Sequence, residues 1–166
     1  MRNNETETVS LATFQEEHNK TLSAFYLPEN QMGYSALPEQ SLRYCDEDPD
    51  KHPIVVLVDE VPVGFFVLHI GKAITPFTDN ERAILLRGFL IDHNHQGKKY
   101  GMKALKMLPG FATDLFPRKD CIVLAVNVKN VVAKALYLKS GFQDTGVKKK
   151  GRSGWMHIME YRLSVD

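Results

Sequence analysis

Apolar residues fall into two patterns along this chain: short unbroken runs through its middle and helically spaced stripes between and around them. The runs IVVLV (Ile54 to Val58) and VGFFVLHI (Val63 to Ile70) are rich in β-branched and aromatic residues and flank a tight DEVP turn, which predicts a β-hairpin. Both strands are apolar nearly throughout, so the sheet they join is expected to be covered on both faces. AILLRGFLI (Ala83 to Ile91) and IVLAV (Ile122 to Val126) predict two more long strands. Val9 to Thr13 reads as a short strand and His157 to Leu163 as the last one.

The stripes predict the helices. FQEEHNKTLSAF places Phe14, Leu22 and Phe25 among helix formers, Tyr26 to Pro38 reads as a loop, and a short helix is expected from Glu39 to Cys45. Ala104, Leu105, Leu108, Ala112 and Leu115 share one side of a longer helix, in which Pro109 denies the Leu105 carbonyl its partner and predicts a kink. Asn130 is a natural cap for a helix ending near Ser140–Gly141, and GVKKKGRSG reads as a loop before the last strand. Strands and helices do not alternate regularly, so the expected class is α+β, one domain over residues 1–166 with a mixed sheet flanked by helices. The chain carries no internal repeat and no low-complexity tract.

Composition narrows the classes. At 43% hydrophobic and 25% charged residues the chain is globular in character, and 21 Lys and Arg against 20 Asp and Glu leave a net charge of +1, which gives no bulk pull toward nucleic acid or membrane. Cys45 and Cys121 lack CxxC spacing and read as reduced, unreactive thiols. No apolar stretch approaches the 18 residues of a membrane span, and the polar MRNNETETVS start lacks an export signal, so the cytoplasm is the expected location.

The chemistry concentrates in DHNHQGKKYGMKAL, Asp92 to Leu105. His93 and His95 could suggest a metal, but the third and fourth converging ligands that zinc needs are missing, so no metal is expected. A strand running into a glycine-bearing loop that opens a helix is better suited to an anion, because free backbone N–H groups and the positive end of the helix dipole face it. Gly97 and Gly101 permit close approach, and Lys98, Lys99 and Lys103 add charge fit for a pyrophosphate. An ordinary helix with a solvated basic first turn remains the alternative. The loop has neither GxxxxGK[ST] nor a full GxGxxG.

Downstream, NVVAKALYLKSGF sets Asn130 and Tyr137 on one face of a helix, about 10.5 Å apart along its axis. QGKKYG and NVVAKALYLKSGF together resemble the two signature motifs of the GNAT superfamily of acetyl-CoA-dependent N-acetyltransferases: its Q/R-x-x-G-x-G/A loop and its N-x-x-A-x-x-L-Y-x-K-x-G-F helix. The resemblance spans Ile54 to Phe142 and implies a mixed, mostly antiparallel sheet flanked by helices. It departs from pattern at Lys99, which stands where the family has its middle glycine; a helical φ would admit lysine without strain and a left-handed φ would not.

Carried over position by position, the resemblance implies that Phe89, Leu90 and Ile91 bind the pantetheine arm through backbone groups. Gln96, Gly97, Lys98, Lys99, Tyr100, Gly101 and Met102 would cradle the pyrophosphate, Asn130 would contact the cofactor, and Tyr137 would be the general acid for the departing thiolate. The general base stays open. Relatives that acetylate protein N-termini often carry glutamate at the position of Ala125; here Glu81 and Asp92 are the local carboxylates, and His93 and His95 titrate in range. The implied acceptor is a small primary amine. A polyamine is the first guess, since Glu29, Glu39, Asp46, Glu47 and Asp48 faintly resemble the acidic region of spermine/spermidine acetyltransferases. An amino-acid or antibiotic acetyltransferase and a non-catalytic acyl-CoA-binding regulator are the rivals. A homodimer fits any of these, whereas nucleic-acid binding through Lys148 to Lys150 and Arg152 is not expected of one basic loop.

Overall fold

A computed structural model describes residues 7–164; residues 1–6 of the polar start lie outside that range. The strands are β1 (Val9–Thr13), β2 (Lys51–Val58), β3 (Val61–His69), β4 (Ala83–Ile91), β5 (Cys121–Asn127), β6 (Gln143–Gly151) and β7 (Gly154–Arg162). The helices are α1 (Asn19–Ser23), α2 (Glu29–Met32), α3 (Pro38–Glu47), α4 (Tyr100–Leu115) and α5 (Val131–Lys139). All seven strands form one sheet in the order β1-β2-β3-β4-β5-β7-β6, antiparallel except where β4 runs beside β5.

The unbroken apolar runs have a simple cause, since both faces of the central strands are covered. Ile54, Phe66, Leu68, Ile84, Leu86, Ile122 and Leu124 point to the face carrying α4 and α5. Val55, Phe65, Val67 and Leu90 point to the opposite face, where Leu22 of α1, Phe25 just after it and Leu42 of α3 meet them. Helix α4 docks the predicted stripe, with Ala104, Leu105, Leu108 and Ala112 buried, and continues through Pro109 to Leu115. Truncating Leu105 to alanine removes a side chain with no exposed surface, the kind of core deletion that costs about 2–5 kcal/mol.

Four segments differ from the sequence reading. GVKKKGRSG is a hairpin, not a loop: Lys148 to Gly151 belong to β6, and β7 already begins at Gly154. As an edge strand largely exposed, β6 has no apolar alternation to betray it. The FQEEHNKTLSAF segment folds as a one-turn 3-10 helix, Glu16–His18, followed by the short α1. The stretch expected to be loop contains the single turn α2, and α3 extends past Cys45 to Glu47.

Candidate active site

The site grows from a fault in the sheet. Strands β4 and β5 pair only at Ala83↔Cys121, Ile84↔Ile122 and Leu85↔Val123, after which they separate. Beyond that point Leu86–Ile91 pair only with β3 and Leu124–Asn127 only with β7, leaving a fork whose inner edges bear unpaired backbone groups. A β-bulge sharpens it: between the pairs Phe65↔Leu90 and Val67↔Arg87, Gly88 and Phe89 stand opposite the single residue Phe66. Gly88 accepts φ +61 there, a value that costs a residue bearing a Cβ. Phe89, Leu90 and Ile91 thus line one prong of the fork with their backbone.

At the tip of that prong the chain turns into α4. Gly97 has φ +80, and Lys99, the residue before the helix, has φ +67 and ψ +17. Lys99 is therefore left-handed, the conformation that glycine takes freely and lysine does not, at a cost of about 1–2 kcal/mol. No side chain caps α4, so the amides of Tyr100, Gly101 and Met102 have no intrahelical acceptor and face the loop, with Lys98, Lys99 and Lys103 exposed around them. Two residues of the motif turn away. The Tyr100 ring is buried in the core and its hydroxyl donates to Glu7 Oε2 at 2.6 Å, so only its backbone serves the loop. That bond to a carboxylate pushes the phenol up to about 12.

Gln96 also has an inward task. Its Nε2 donates to the Ile91 carbonyl at 2.9 Å and to Gln31 Oε1 at 2.9 Å, while Gln31 Nε2 donates back to Gln96 Oε1 at 3.2 Å. Nearby, the Tyr26 amide donates to Asp92 Oδ1 at 2.8 Å, the His93 amide donates to the Tyr26 carbonyl at 2.9 Å, and the two rings meet edge to face. At the other end of this segment the Ser153 hydroxyl donates to the Gly33 carbonyl at 3.4 Å, and Asn127 Nδ2 donates to the Ser153 carbonyl at 2.9 Å. Residues 26 to 33 therefore form a strap from the tip of β4 to the tip of the β6–β7 hairpin.

The other prong leads into α5. Asn130 caps it, its Oδ1 accepting from the Ala133 amide at 3.3 Å, which leaves its Nδ2 for other partners. Seven residues on, Tyr137 crosses the fork: its ring packs edge to face against Phe89 at 6.4 Å and Phe142 at 5.8 Å, and Phe89 in turn meets Phe66 at 5.7 Å. Helix α4 lies close enough to pin this arrangement, since a Cβ on Gly101 would sit 3.5 Å from Leu136 and 3.6 Å from Ile91. Burial pushes the Tyr137 phenol well above its ordinary range, so it is a neutral donor.

The fork gathers Phe89 to Ile91, Gly97 to Met102, Asn130 and Tyr137, but not Glu81. Glu81 precedes β4 at the opposite end of the strand, roughly 26 Å from Phe89 at 3.3 Å per residue, with its carbonyl held by Lys119 Nζ. Glu81, a candidate base, thus lies apart from the other candidates. Asp92 is buried, its Oδ1 accepting from the Tyr26 amide and its Oδ2 4.0 Å from His95 Nε2, and Ala125 leaves β5 without a carboxylate. Burial pushes the thiols of Cys45 and Cys121 up to about 11, far from a nucleophile's range. Among the described residues, no three His, Cys, Asp or Glu gather as a metal site and no helix is long and apolar enough to cross a membrane. Sequence reasoning missed Gln31, Arg87 and His69; the last two were visible only as lone polar residues inside apolar runs.

Comparison with known proteins agrees with this geometry. The model of the acetyltransferase (GNAT) family matches residues 15–142. An uncharacterized N-acetyltransferase, YbbJ of Bacillus subtilis (strain 168), is 38% identical over 159 residues, covering 95% of this chain and 99% of its own. Among solved structures, the aminoglycoside acetyltransferase AAC(6')-Ib in complex with coenzyme A superposes with a TM-score of 0.75 at 17% identity, over 93% of this chain and 95% of that one. Spermidine N-acetyltransferase from Vibrio cholerae, in complex with CoA and spermine, gives 0.69 at 18% identity, again over 93% and 95%.

Proposed function

This chain belongs to the GNAT family of acetyltransferases, with acetyl-CoA as its acyl donor, and on that premise we propose that it acetylates a small-molecule primary amine by direct attack in a ternary complex. The observation that carries the reading is the fork, which joins an uncapped helix start, a bulged strand edge and a buried tyrosine. The α4 amides and the lysines around them suit a pyrophosphate, and the free edge of Phe89 to Ile91 suits an extended amide-bearing arm. Such an arm brings its thioester toward Tyr137.

The amine nitrogen attacks the thioester carbonyl carbon, a C–N bond forms, and the C–S bond breaks with its electron pair leaving on sulfur. Tyr137 donates its phenolic hydrogen bond to that sulfur and gives up the proton as the thiol leaves; the proton shed by the amine restores the phenol. Because burial raises the phenol, Tyr137 stays protonated throughout the range in which an amine loses its own proton. With Glu81 distant from the fork, the arriving ammonium first gives one proton to water, and the second proton, shed after attack, is the one that restores the phenol.

The acidic residues that favour a polyamine lie exposed on α2 and α3, apart from Asp48, which sits beside His69. Aminoglycoside and polyamine acceptors, known for the structural neighbours, fall within the same class of amine.

The test is acetyl-CoA-dependent thiol release across an amine panel. Turnover on one class, reduced about 100-fold in Tyr137→Phe at unchanged CoA affinity, is expected. The rate should climb with pH as the amine deprotonates, with no fall at the ordinary phenol ionisation near 10. CoA binding without turnover on any amine would leave an acyl-CoA-binding regulator instead.

A further inference from the structure

We propose that Arg87 is the anchor of an acceptor subsite at the mouth of the fork, and that the amine acetylated there carries a carboxylate. This inference rests on the acetyl-transfer reading and narrows its substrate class. Arg87 is the one charged residue in AILLRGFLI. It lies two residues past Leu85, the last residue of β4 paired with β5, and immediately before the bulge glycine Gly88. Its partner across the ladder is Val67, so its side chain leaves the sheet on the face of α1 and α3, opposite to Tyr137 and the two long helices. There it is exposed.

How Arg87 is held distinguishes it from an ordinary surface arginine. Its Nη1 lies 3.1 Å from Nδ1 of His69, a residue of β3 with only 1% of its surface exposed. A guanidinium has donors alone, so Nδ1 must accept, and the imidazole is neutral with its proton on Nε2. Nε2 lies 3.5 Å from Asp48 Oδ2, just after α3, and forms no hydrogen bond among the described residues. Burial, and after it the charge of Arg87, lowers the imidazole's affinity for a second proton, in keeping with this tautomer. The guanidinium is thus fixed by a neutral acceptor. Among the described residues no carboxylate forms an ion pair with Arg87, which keeps its full charge and a free planar edge for a bidentate partner.

One such edge with one positive charge matches a carboxylate. The same charge disfavours a polyamine, whose several ammonium groups would stand against it. Phe89 lies only two residues further along β4, about 7 Å of strand before the bulge shortens it, so the carboxylate and the reacting nitrogen belong to a compact molecule such as an amino acid.

The experiment uses matched trios of amino acid, amino-acid amide and the amine lacking the carboxyl group, such as phenylalanine, phenylalaninamide and phenethylamine, with spermidine alongside. Thiol release is measured for the parent, Arg87→Gln and Arg87→Lys, and binding of the same compounds is titrated on the CoA-saturated proteins. The acid is expected to exceed its amide at least 10-fold in kcat/KM, mostly through KM. Arg87→Gln should erase that preference and improve use of spermidine, Arg87→Lys should restore part of it, and CoA affinity should be the same in all three. Equal use of acid and amide by the parent, or a preference unchanged in Arg87→Gln, overturns the subsite. Arg87-dependent binding of the acid with no thiol release sustains the subsite and sinks the transfer reading; no release and no such binding sinks both.

Discussion

Helices α4 and α5 both begin at the fork, one after each prong, yet their first turns are built in opposite ways. Helix α5 is closed by its own residue: Asn130 caps Ala133 with its side-chain oxygen. Helix α4 is entered through left-handed Lys99, with no side-chain cap and three exposed lysines nearby. One helix caps an amide of its first turn with its own side chain, and the other leaves its first amides without a side-chain cap. On the proposed reading, an absent cap placed at a fork in a sheet points to the ligand more sharply than the glycines around it.

That contrast can be broken from either side. The largest effect is expected from Lys99→Asp, which puts a carboxylate in front of the α4 amides and tolerates a left-handed φ better than most residues. CoA affinity measured by calorimetry should fall about 100-fold while the protein stays folded. Asn130→Ala strips the opposite helix of its cap and should lower unfolding stability by about 1 kcal/mol in a urea titration. The smallest effect belongs to Lys99→Gly. It should raise stability by roughly 0.5–1 kcal/mol by relieving the left-handed lysine, yet weaken CoA a few-fold through the lost charge. Opposite signs in the two readouts separate strain from electrostatics.

Much of this was legible in the sequence. The β2–β3 hairpin, β4, β5 and α5 announced themselves because their runs and stripes are dictated by burial on both faces or on one. The motif residues from Gly97 to Met102, with Asn130 and Tyr137, were found where the fork gathers them. What stayed hidden depended on partners distant in sequence. Edge strand β6 buries little, so Lys148 to Lys150 looked like a loop. Glu81 seemed adjacent to the motif because it precedes the same strand, but an extended strand carries its ends far apart. Gln96 matched a motif position, and nothing local revealed that its amide would face Gln31, 65 residues away. Arg87 and His69 could not be paired until the register of β3 on β4 was known.

The Gln31–Gln96 pair has a consequence for ionic strength. Neither amide carries a charge, so added salt leaves this tie of the strap intact. The loop beside it is ringed by exposed lysines, and on the proposed reading their charge helps to attract the pyrophosphate, an attraction that the same salt screens. On the proposed reading, raising the ionic strength loosens the nucleotide end of the donor while the strap stays fastened, so the protein would empty without opening.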